Sequence, residues 1–76
     1  MKEKIADLAK EMRYRESCLK EEADLFARTA SNEIKQNDMQ VAESYLKSAN
    51  EYLDNAKFFD YFAERLEDIL EEEDEQ

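Results

Sequence analysis

Residues 41–70 read VAESYLKSANEYLDNAKFFDYFAERLEDIL, and the spacing within this stretch decides the fold. Ala42, Ala49, Ala56, Ala63 and Leu70 recur every seven residues, and Tyr45, Tyr52, Phe59 and Leu66 repeat the same interval three positions later. A seven-residue apolar repeat of this form is the a and d seam of a helix that packs along its length against another helix. Leu46 and Leu53 widen the seam on one flank, until Asp60 and Glu67 interrupt that row. A small residue at each recurrence lets a neighbouring helix come close, and the aromatic row fills the space beside it. The spacing predicts one helix from about Asp38 to about Leu70.

Upstream the period is less regular. Ile5, Leu8, Met12, Leu19, Ala23, Phe26, Ala30 and Ile34 are spaced by three or four residues, apart from one gap occupied by Arg15 or Glu16. The chain has no Gly and no Pro, and this segment is rich in good helix formers, so one helix is expected over about 3–35. Ser17-Cys18 and Thr29 to Asn32 are its weak points, because Ser, Thr and Asn side chains compete for backbone hydrogen bonds; a break at either would create a third short helix. Gln36-Asn37-Asp38 reads as the turn, with Asn37 as N-cap and Gln40 at the third helical position as its capping-box partner. A connection this short makes the helices antiparallel. With the turn at residue 37, position i lies opposite roughly 74 − i, which sets Ile5 against Ile69, Leu8 against Leu66, Met12 against Phe62 and Phe26 against Ala49. The expected fold is all-α, an antiparallel helical hairpin of two long helices forming one domain over 1–70, followed by an acidic tail over 71–76.

Composition removes whole classes of function. Without Gly the chain cannot build a phosphate-cradling loop, a dinucleotide fingerprint or an EF-hand turn. It has no His, and its one Cys makes neither a zinc site nor an intrachain disulfide. The first residues, MKEKIADLAKEM, set Ile5 and Leu8 among charges, so neither a secretory signal nor a membrane span is expected and a cytoplasmic location follows. No cofactor is implied. Glu64, Glu67, Asp68 and Glu71 have the spacing of helical metal ligands, yet a di-iron helix pair needs Glu-x-x-His, so only weak surface binding of divalent cations is expected.

Charge is segregated along the chain. Residues 1–36 carry eight basic and eight acidic groups, whereas residues 37–76 carry three basic against thirteen acidic, so the whole net charge of −10 belongs to the second half. A phosphate backbone demands a basic face, which argues against direct nucleic-acid binding. The run Glu71 to Glu75, EEEDE, reads as a solubilising tail.

Two surfaces are candidates for binding. Phe58, Tyr61, Phe62 and Ile69 lie off the alanine seam, with Tyr14 and Cys18 at the same height on the first helix; this aromatic patch reads as a second interface, most simply that of a two-fold homodimer making a four-helix bundle, with an anchor for another protein as the alternative. The other surface is the acidic face of Glu64, Glu67, Asp68 and Glu71. Arg13-Tyr14-Arg15 reads as a solvated face with ordinary helical partners rather than a phosphate platform. The hairpin is similar to tetratricopeptide-like units in its Ala and Tyr placement, without their 34-residue repeat or their Trp, Gly and Pro landmarks. In size and charge the chain resembles small inhibitor proteins of phages and mobile elements. That resemblance implies a DNA-mimic role, with the acidic face covering a basic, nucleic-acid-binding protein surface. The alternative is an assembly or chaperone-like adaptor whose aromatic patch, with Tyr14, Tyr61 and Phe62 as anchors, holds a partner's helix. Without a nucleophile beside a base, enzymatic activity is not expected.

Overall fold

The computed structural model describes residues 1–75. They form two helices, α1 (Lys2–Lys35) and α2 (Met39–Glu75), packed against each other as an antiparallel hairpin. Both helices are unbroken. Ser17-Cys18 stays helical, and the Thr29 hydroxyl donates to the Leu25 carbonyl at 2.9 Å, one turn back, without opening the helix. The Cα envelope measures 59 × 13 × 13 Å, a rod whose length follows from the 37 residues of α2 at about 1.5 Å each.

The turn differs from expectation by one residue. Asn37 adopts a left-handed conformation, φ 64°, and closes α1 rather than opening α2. Its N–H donates to the Ile34 carbonyl at 3.0 Å, and the Asp38 N–H donates to the Glu33 carbonyl at 2.9 Å, which is the Schellman pattern of helix termination. Asn is the residue besides Gly that best tolerates this region. The N-cap of α2 is therefore Asp38, whose Oδ1 accepts from the Val41 N–H at 3.3 Å. Gln40 falls at the second helical position, one short of the capping-box place. At the far end α2 continues through Glu75 instead of stopping near Leu70, since Glu is a good helix former and nothing in EEEDE breaks the backbone.

Labelling the most buried heptad position a in each helix exposes the logic of the packing. The a rows are Ala9, Glu16, Ala23 and Ala30 on α1 and Ala42, Ala49, Ala56 and Ala63 on α2, and all eight are buried. Among the described residues no large side chain is fully buried. The d rows, Ile5, Met12, Leu19 and Phe26 on α1 with Tyr45, Tyr52, Phe59 and Leu66 on α2, are half-buried without exception. A buried methyl contributes on the order of 0.8 kcal/mol, so the alanines chiefly set how near the helices come. Bulk is left to the d rows, on one side of the hairpin.

Phe26 shows the register directly. Its ring stacks between Tyr45, at 6.0 Å between centroids, and Tyr52, at 5.3 Å and 12° between planes, which brackets Ala49 as the pairing rule requires. The large residues expected to face one another near the open end behave differently. Leu8, Phe62 and Ile69 occupy g positions and are exposed, because the close alanine contact excludes them from the space between the helices.

Candidate functional site

The e positions lie on the opposite side from g. On α1 they are Ala6, Arg13, Lys20, Ala27 and Ile34; on α2 they are Leu46, Leu53, Asp60 and Glu67. Antiparallel helices bring one e row beside the other. Near the turn both rows are apolar; farther along, Arg13 and Lys20 stand beside Asp60 and Glu67, and Ala6 ends the α1 row.

Arg13 is the centre of the charged part. Its Nη1 donates to Asp60 Oδ1 at 2.6 Å and to Glu16 Oε1 at 2.9 Å. Its Nη2 and Nε donate to the two oxygens of Glu67 at 2.7 and 3.1 Å, a bidentate pair. Glu16, only 8% exposed in a row otherwise made of alanine, also pairs through Oε2 with Lys20 Nζ at 2.9 Å. These bonds favour the charged forms of Arg13, Glu16 and Glu67. The hydrogen bonds to Glu67, then Asp60 and Glu16, hold the Arg13 guanidinium above its ordinary value. Lys20 and then Arg13 hold the Glu16 carboxyl below the usual carboxylate range, and Arg13 does the same for Glu67. Among the described residues no buried polar side-chain atom lacks a hydrogen-bond partner.

This cluster redraws the expected acidic face. Glu67 leaves it, because Arg13 claims both carboxylate oxygens. Glu64, Asp68 and Glu71 remain, exposed on the side of α2 turned away from α1, and none of the ion pairs among the described residues includes them. Arg15 pairs with Glu11 one turn back, as a solvated helical residue should, whereas Arg13 reaches across to the other helix. An open groove of about 510 Å³ above Glu16 is lined by both signs, Lys20 and Lys57 against Glu16, Asp54 and Asp60. Among the described residues no three His, Cys, Asp or Glu side chains gather as a metal-holding group.

The aromatic patch is divided by the register. Phe62 and Ile69 are g residues, and Phe58 and Cys18 are c residues on the same side of the hairpin as the d rows. Tyr61 and Tyr14 occupy f positions, the outermost on each helix. Tyr61 meets Phe62 edge to face, with centroids 5.7 Å apart. Tyr14 is 70% exposed, and the neighbouring Cys18 thiol raises its hydroxyl above the ordinary value; Cys18 itself is half-buried. Among the described residues no helix is long and apolar enough to cross a membrane. No family model matches the chain, and no curated protein or solved structure matches it.

Proposed function

We propose that this chain is a non-enzymatic protein-binding module that presents the acidic outer side of α2 to a basic, nucleic-acid-binding protein surface. The observation that carries the reading is the state of the carboxylates. Arg13 and Lys20 are committed to Glu16, Asp60 and Glu67, while Glu64, Asp68 and Glu71 stay exposed and outside the observed ion pairs. From Asp60 to Glu75 the sequence holds seven carboxylates besides Asp60 and Glu67 in about 24 Å of helix, roughly one per 3.4 Å, half the density of the one charge per roughly 1.7 Å of duplex DNA. A field of this kind steers a basic partner and speeds encounter. The aromatic adaptor reading is favoured by a different observation, the outward placement of Tyr14 and Tyr61, which leaves two amphipathic anchors at the surface.

The test uses the partner that co-purifies from the native host. Changing Glu64, Asp68 and Glu71 together to Lys should slow association, raising salt from about 50 to 200 mM should weaken it, and duplex DNA should compete for the partner. Binding that ignores salt, charge reversal and DNA contradicts the proposal. If truncating Tyr14 or Tyr61 instead removes about 2 kcal/mol or more of affinity while helicity persists, the adaptor reading holds.

A further inference from the structure

We infer that the side of the hairpin carrying the d rows is the seat of a second copy of this chain, giving a four-helix bundle in which alanine seams lie within each hairpin and large side chains meet between hairpins. The first support is completeness along the rod. Every d residue from Ile5 to Leu66 is half-buried, so no stretch of this side is finished by the partner helix of the same hairpin. The positions beside them continue the apolar surface, with Leu8, Phe62 and Ile69 in the g rows and Leu25 and Phe58 in the c rows all exposed. A second hairpin of equal length matches such a strip from end to end.

The second support is area. The chain exposes 6051 Å². A globular monomer of its mass exposes about 4,900 Å², and a globule of twice the mass about 8,100 Å². Two copies joined into one body would therefore bury at most about 4,000 Å² in total, within the range of about 2,000–5,000 Å² found in obligate homodimers. The third support is charge, since a chain of net −10 associates with itself only through a face that carries little of it. Over residues 4–33 and 41–72 the charged residues at the c, d and g positions are Lys4, Glu11, Arg15, Glu22, Glu33, Glu51, Arg65 and Glu72, a net of −2, and Glu11 and Arg15 already pair with each other. The acidic outer side of α2 stays free in the bundle, so this inference and the proposed function stand or fall separately.

Sedimentation equilibrium at micromolar concentration should give twice the 9.1 kDa chain mass. Two substitutions then identify the face, chosen for nearly equal exposure on opposite sides: Ile69 at 40% and Leu53 at 41%. Ile69→Lys should raise the dimer dissociation constant at least about tenfold, and Leu53→Lys should leave it within about twofold. Both variants are read by sedimentation alongside circular dichroism, and Ile69→Lys should regain helicity as protein concentration rises. A fully helical 9.1 kDa monomer for the unaltered chain overturns the inference, as does a dimer dissociated by Leu53→Lys and indifferent to Ile69→Lys.

Discussion

The two long sides of this hairpin solve opposite problems with the same repeat. On the a and e side the alanines are buried, and beside them Arg13 forms an ionic cross-link that holds Glu67 and Asp60 of α2 together with Glu16 of its own helix, while nearer the turn Ile34, Leu46 and Leu53 of the e rows are exposed. On the d and g side the helices present Phe, Tyr, Leu, Ile and Met that the other helix covers only in part. Close approach on one side is what splays bulk onto the other. In a two-helix protein built this way, the placement of the small residues fixes which side is left uncovered.

Enlarging one side and then the other should expose the asymmetry most strongly. Ala56→Leu and Ala63→Leu insert methylenes where the helices are in contact, and each should cost about 1–3 kcal/mol in urea unfolding. Asn55→Leu, next to Ala56 but on the open side, should be neutral or stabilising. Equal losses from Ala56→Leu and Asn55→Leu would mean that the two sides are packed alike.

Acid titration addresses the ionic side alone. Glu16 and Glu67 titrate below the ordinary carboxylate value in the folded chain, so the native state binds fewer protons than the unfolded one as pH falls towards that value. Their contribution is complete above about pH 4.5 and is lost as pH drops through the lowered folded values. The urea midpoint should fall below about pH 4, and the fall should shrink in Arg13→Gln, which removes the shared donor. An acid dependence unchanged by Arg13→Gln would locate it elsewhere.

A smaller effect is expected from Glu16→Ala, which completes the alanine row. The lost pairs with Arg13 and Lys20 are offset by relief of a buried carboxylate and by the better helix propensity of Ala, so stability at neutral pH should change by less than about 1 kcal/mol. A loss beyond about 2 kcal/mol would show that the cluster stabilises the fold rather than only fixing its register. Least affected should be a chain ending at Leu70. Glu71, Glu72 and Glu73 are exposed, and like charges at a helix C-terminus are unfavourable, so its melting temperature should stay level or rise slightly.

The fold is largely legible in the sequence because alanines at 42, 49, 56 and 63 leave little choice of geometry. The turn falls one residue from its expected place, since Asn serves equally as an N-cap and as a left-handed helix terminator, and only the hydrogen bonds of Asn37 and Asp38 distinguish the two. Most of the ionic cluster is present in the sequence as two separate irregularities, the gap at Arg15 or Glu16 in one half and the breaks at Asp60 and Glu67 in the other. Applying the register of about 74 − i to those breaks brings Arg13 and Glu16 near Asp60, a signal that the spacing alone carries. Glu67 reads as part of the acidic face because its spacing to Glu64, Asp68 and Glu71 along α2 is helical, while the charge that withdraws it lies 54 residues away in sequence. Exposure of the g residues is not legible, because a helical wheel shows direction and not how closely alanine lets the axes approach.

Isotope-filtered nuclear Overhauser spectroscopy on a mixture of labelled and unlabelled chains distinguishes a d side closed by a second hairpin from one left open. Contacts between chains should come from Phe59, Phe62 and Leu66, while Phe26 to Tyr45 and Tyr52 should appear within a chain. Contacts between chains at Leu46 and Leu53, or none at all at millimolar concentration, would contradict the account.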